Sequence, residues 1–180
     1  MAEDDPAGSA EELELLRVGQ ADTLLGIAAG GTTPWVLGAC SMAADRGAMT
    51  ALLTSAPPDG VRVDHVIHLA TGAEVLAGST RLKAATATKI ALNIITTTLF
   101  TRLGKVYGNL MVDLNASNAK LKDRAIRIVV ELCDLDRAAA ADALDAAGGD
   151  LKLAVVMQRC CIDADAAAAR LDAAGGFLRV

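Results

Sequence analysis

"TLLGIAAGGTTPWVLGACSMAADRGAMTALLTS", residues 23 to 55, carries the reading of the fold. Its first run, Thr23 to Ala29, is short, continuous and apolar and ends on a glycine pair, the pattern of a strand buried on both faces. Pro34 stands where a helix can begin, because its missing N–H costs nothing in a first turn, and the helix is expected to run to about Arg46. Gly47 supplies the residue that ends it. Ala48 to Ser55 then repeats the buried-strand pattern. Strand, glycine loop, helix, strand is the unit of an open α/β domain with a parallel sheet.

Downstream, "APPDG" is a turn cluster and "HVIHLA" (His65 to Ala70) a third, shorter strand. "GAEVLAGSTRLKAATATK" (Gly72 to Lys89) follows and feeds a long helix expected from about Ser79 to Leu103, stopped by Gly104. Sheets of this kind collect ligands at the carboxyl ends of their strands, so two loops qualify as sites, "AAGGTTP" and "AEVLAGSTRLK". In the first, Gly30 and Gly31 permit close backbone approach, while Thr32 and Thr33 offer hydroxyls beside a helix N-terminus, which suits a phosphate or sugar oxygen. The alternative is a plain turn in which Thr33 caps the helix.

In the second loop, Ser79 and Thr80 are placed at the helix N-terminus with Lys83 one turn in, where the helix dipole opposes a cation. An anion is therefore expected nearby, and Glu74, an aspartate of a neighbour or a phosphate would serve. The alternative is a solvated Lys83 with Ser79 as an ordinary cap. Thr86, Thr96, Thr97 and Thr98 read as residues bonding back to the preceding turn or packing across an interface.

Residues 1–22 form an acidic lead-in, with Asp4, Asp5, Pro6 and Gly8 breaking any early helix; residues 23–116 hold the α/β domain, and residues 117–180 a helical one. Ser117 or Asn118 can cap the first helix of that last part. Within it, "LDRAAAADALDAAGGDL" from Leu135 and "IDADAAAARLDAAGGFL" from Ile162 echo each other at an offset of 27 residues. Each copy has an aspartate near its start and Gly-Gly at its end.

With 180 residues and 53% hydrophobic content the chain can bury one sizeable core, built from small aliphatic side chains because it has only Trp35, Phe100, Tyr107 and Phe177 as aromatics. A net charge of −5 with scattered lysines and arginines argues against nucleic acid as a partner. No basic segment leads into an apolar one at the start, and no apolar run suits a bilayer, so no membrane partner and a cytoplasmic location are expected. The four cysteines, Cys40, Cys133, Cys160 and Cys161, lack metal spacing and read as reduced, buried thiols. His65 and His68 fall on opposite faces of a strand, so no metal is expected, and no cofactor.

"EVLAGSTRLKAATATKIALNIITT" followed by "RLGKVYGNLMVDLNASNAKLKDRAIRIV" resembles the signature region of the N-acetylmuramic acid 6-phosphate etherases and the related glucokinase regulatory proteins, a sugar-isomerase (SIS) domain family. The resemblance runs from about Leu24 to the end. It implies a partial SIS-type three-layer αβα parallel sheet followed by a small all-helical subdomain similar to ubiquitin-associated folds. It also implies a phosphosugar ligand and a homodimer or a complementary SIS half chain as partner. Etherases of the family cleave the D-lactyl ether of N-acetylmuramic acid 6-phosphate to N-acetylglucosamine 6-phosphate and D-lactate without a metal, by elimination and water addition assigned to glutamates.

The resemblance carries Glu3 over as the candidate catalytic glutamate, since "MAEDD" matches the family's "EGAED", and Gly30, Gly31, Thr32, Thr33, Glu74, Ser79, Thr80 and Lys83 as substrate contacts. Departures are visible too. Gly30 and Thr32 stand where the family's "AASGRTP" has serine and arginine, and Ala85 replaces the glycine of "LKAGT". The family's first SIS half, with a further glutamate, has no counterpart here. An incomplete etherase is therefore expected, with a non-catalytic phosphosugar-binding regulator or an inactive fragment as the alternatives.

Overall fold

The structure, a computed structural model, describes residues 2–57, 60–114 and 116–178. A short helix α1 (Ala10–Leu15) leads to β1 (Thr23–Ile27), α2 (Pro34–Asp45), β2 (Met49–Thr54) and β3 (His65–His68). The three strands form one parallel sheet in the order β1-β2-β3, with Leu25 opposite Ala51 and Leu53 opposite Ile67. All three apolar runs named above became strands, and α2 starts on Pro34 as expected. β1 stops at Ile27, two residues early, because Ala28 N–H still bonds Leu53 O at 3.1 Å while Gly31 N–H turns back onto Ala28 O at 2.9 Å.

The core of this part lies between α2 and the two strands that flank it in sequence. Leu52 and Leu53 are fully buried, each contributing about 1.5–3 kcal/mol relative to exposure. Gly26 explains the close approach of α2, since a Cβ there would lie 2.8 Å from Cys40 Sγ and 2.9 Å from Val36 Cγ1. Cys40 is buried, which pushes its thiol up and leaves it a small apolar side chain. The buried Thr50 is satisfied by Asp64, whose Oδ2 accepts the threonine's N–H at 2.7 Å and its hydroxyl at 2.9 Å. That pair pins the entrance of β3 onto β2.

The lead-in is docked on this core. Ala2–Asp4 makes a turn of 3-10 helix, Ser9 and Leu13 are buried, and the Pro6 carbonyl lies so close to Gly38 of α2 that any side chain there would collide with it. Gly8 lies against the Trp35 ring in the same way. Pro6 and Gly8 do interrupt early helix, yet α1 forms inside the lead-in two residues beyond Gly8.

The chain divides into two compact units, Met1–Ile94 and Ile95–Val180. Helix α3 (Lys83–Arg102) carries it across that division. The second unit has a hairpin, β4 (Val106–Tyr107) with β5 (Leu110–Met111), and four helices, α4 (Ala119–Cys133), α5 (Arg137–Ala146), α6 (Leu151–Cys160) and α7 (Ala164–Ala173). They enclose Val112, Val129, Leu144, Leu151 and Val155. Asn118 caps α4 by accepting Leu121 N–H at 2.9 Å. The sequence echo is a structural one. Asp136 and Asp163 accept the N–H groups of Ala139 and Ala166 at 2.8 and 2.9 Å, and each helix ends in a glycine pair at positive φ, Gly148-Gly149 and Gly175-Gly176.

Among the described residues no helix is long and apolar enough to cross a membrane.

Candidate functional site

The loop that leaves β1 is held in place by Thr54, the fully buried last residue of β2. Its hydroxyl donates to Ala56 O at 3.1 Å, reaches Ala29 O at 3.3 Å and accepts Ala56 N–H at 3.2 Å. Gly31, at φ +72°, would place a Cβ only 3.0 Å from that hydroxyl, so the loop lies directly against it. Thr33 occupies the N-cap position of α2 in extended conformation, but its side chain makes no capping bond. The first turn of α2 is therefore open to a polar ligand, with the positive end of its dipole facing the cleft.

A cleft of about 530 Å³ opens at this point, at the carboxyl end of β1, lined by Ile27, Ala29, Gly30, Thr33 and Val36 from β1, the loop and α2. Glu3 and Thr80 line it as well. The structure thus brings together Glu3, Gly30, Thr33 and Thr80, four residues that are far apart in sequence. Gly31 lies beneath this surface, and Thr32 is exposed on the same loop without lining the cleft.

The second loop differs from expectation. α3 begins at Lys83, not Ser79, because the segment before it is a turn in which Gly78 has φ +79° and Thr80 N–H bonds Gly78 O. The anion at the helix entrance is Glu74. Its two carboxylate oxygens accept the N–H groups of Lys83 and Ala84, each at 2.9 Å, and those bonds, that from Ala84 first, hold its carboxyl below the usual glutamate range. The Lys83 ammonium folds back to Thr71 O at 2.8 Å. Glu74, Ser79 and Lys83 accordingly build the loop that presents Thr80, and none of the three lines the cleft.

An adjoining cleft of about 520 Å³ shares Ile27, Ala29 and Thr80 and adds Arg81, Lys89 and Asn93. Arg81 and Lys89 are not among the expected contacts, although the run of cations in "STRLKAATATK" carries them beside Lys83. A larger cleft, about 730 Å³, lies at the amino ends of the strands beside Arg62, Asp64 and His65. Parallel sheets place their chemistry at the opposite end, where the Glu3 cleft is. Among the described residues no group of three or more His, Cys, Asp or Glu side chains could hold a metal ion.

No protein-family model matches the chain. Over 153 residues, 84% of the chain, it is 51% identical to the N-acetylmuramic acid 6-phosphate etherase of Crocosphaera subtropica, covering 50% of that protein. It is 49% identical over 154 residues to the etherases of Gloeobacter violaceus and Rubrobacter xylanophilus, again 84% of the chain, covering 50% and 51% of them. Over these residues the chain belongs to the N-acetylmuramic acid 6-phosphate etherase family. It spans about half the length of the etherases it matches, in their C-terminal region. Its partial α/β sheet followed by helices accords with a partial SIS-type fold.

Proposed function

We propose that this chain is the phosphosugar-binding C-terminal half of an etherase, acting on N-acetylmuramic acid 6-phosphate in the cytoplasm together with a second chain, either a second copy or a complementary SIS half. The observation that carries this reading is the cleft shared by Glu3, Gly30, Thr33 and Thr80. It sets a carboxylate beside hydroxyls and open helix N–H groups, which suits an uncharged sugar ring bearing an anionic substituent. In this reading Glu3 moves the proton of the elimination, while Thr33, Thr80 and the first turn of α2 hold the ligand.

Elimination of lactate followed by addition of water needs both a base and an acid on a fixed substrate. Glu3 is the one carboxylate lining the cleft among the described residues, which favours as second reading a chain that binds phosphosugar without turning it over. Calorimetric titration with N-acetylmuramic acid 6-phosphate, paired with a D-lactate release assay, separates the two. Binding with release supports the etherase, binding without release the regulator, and absence of binding removes both.

A further inference from the structure

We infer that Arg81 and Lys89 form a subsite for the lactyl carboxylate, in the cleft that adjoins the one lined by Glu3. The inference rests on the phosphosugar reading above and deepens it, because it assigns which end of the ligand lies where.

The Glu3 cleft does not balance that ligand by itself. Among the described residues its lining holds one carboxylate and neither lysine nor arginine. N-acetylmuramic acid 6-phosphate brings two anionic groups, the phosphate and, elsewhere on the ring, the carboxylate of its lactyl ether. The first turn of α2 offers open N–H groups and a partial positive charge to one of them. The other would stand beside Glu3 with like charge facing like, unless a cation lies within reach.

The adjoining cleft supplies two cations and, among the described residues, no acid. Ala85, Lys89 and Leu92 recur at helical spacing and share one face of α3, and Arg81 stands one turn before Ala85. That face meets Ile27 and Ala29 at the carboxyl end of β1, and Thr80 belongs to both clefts. A ligand ring held at Thr80 therefore has the open end of α2 on one side and the two cations on the other. The apolar surface of Ile27, Ala85 and Leu92 matters as well, because a lactyl group carries a methyl beside its carboxylate.

The three cations of this segment are used differently. Lys83 folds its ammonium onto Thr71 O at 2.8 Å. The Arg81 guanidinium and the Lys89 ammonium are exposed and make no hydrogen bond or ion pair among the described residues. A carboxylate reaches them without displacing a partner, and the planar fork of the guanidinium can donate to both of its oxygens.

The test is calorimetric titration of the 180-residue chain, of Arg81→Gln and of Lys89→Met with two ligands. One is N-acetylmuramic acid 6-phosphate; the other is N-acetylglucosamine 6-phosphate, which has the same ring and phosphate and no lactyl group. Each substitution should weaken the first ligand roughly tenfold or more and leave the second within about twofold. The unchanged second ligand also reports that the variant is folded, as expected at exposed positions. Equal losses for both ligands would put the phosphate on the cations, and no loss for either would leave them idle; each result overturns the inference. Amide shifts at Thr80, Arg81 and Lys89 on titration with D-lactate alone, with inorganic phosphate as the control anion, need no sugar. In a chain that binds neither phosphosugar, shifts larger with D-lactate than with phosphate would fail the proposed function and leave the subsite standing. Without them, both would fall.

Discussion

Glu74 Oε1 accepts the backbone N–H of Ala84 at 2.9 Å, closing a loop of ten residues onto the start of α3. The same carboxylate holds Lys83 N–H, so a lysine at a helix N-terminus is offset by a full negative charge at the same place. The loop so closed carries Thr80 to the cleft.

A pH dependence follows from that cap. The folded-state value of Glu74 is depressed, so the stability it contributes is complete above the ordinary glutamate range and is lost as pH falls through the lower folded value. Amide resonances of Lys83 and Ala84 should titrate together in that acidic window, and Glu74→Gln should remove the transition. Titration of both amides unchanged in the variant would assign the transition to another group.

Thr33 and Asn118 occupy equivalent positions at the starts of α2 and α4, yet only Asn118 makes a capping bond. Asn118→Ala should cost about 1 kcal/mol in urea unfolding, whereas Thr33→Ala should stay within about 0.5 kcal/mol of the parent. If the Thr33 hydroxyl is kept for ligand, the same Thr33→Ala chain should bind phosphosugar about tenfold more weakly by calorimetry.

Thr54→Val keeps the shape of the side chain and deletes the hydroxyl that ties Ala56 and Ala29 together. Ala56 N–H loses its partner, at an expected cost of about 1–3 kcal/mol in denaturant unfolding. Faster exchange at Gly30 and Gly31 should accompany it. Unchanged exchange there would show that the loop holds its shape without the threonine.

Gly38→Ala puts a methyl group against the Pro6 carbonyl. The sheet does not depend on that contact, so the expected result is release of the lead-in, seen as rapid protease cleavage before Leu16, with the sheet still protected. Glu3 leaves the cleft with it, so D-lactate release by the complete enzyme should fall while phosphosugar binding through Thr33 and Thr80 persists.

The strands and α2 were legible because their determinants are local: apolar runs bounded by Gly31, Pro34 and Gly47, each acting on its own few residues. The helix caps at Asp136 and Asp163 were legible for the same reason. The start of α3 was not, since Glu74 caps it from across a loop and Ser79 looks locally as good a start as Lys83. Thr54 read as one more strand residue, because nothing in "TALLTS" announces that its hydroxyl fixes the loop after a different strand. Glu3 is legible through family resemblance alone; its place in the cleft depends on the bare surface of α2, which no pattern within the lead-in encodes.

Gly38 lies outside the candidate site and would pass unnoticed in any inventory of catalytic residues. Because α2 can accept the lead-in only where it carries no side chain, that single hydrogen decides whether the first glutamate of the chain stays at the cleft. Among half-length relatives of the etherases, the residue at this position would sort those able to keep an acidic group at the cleft from those that have given it up, before any of them is assayed.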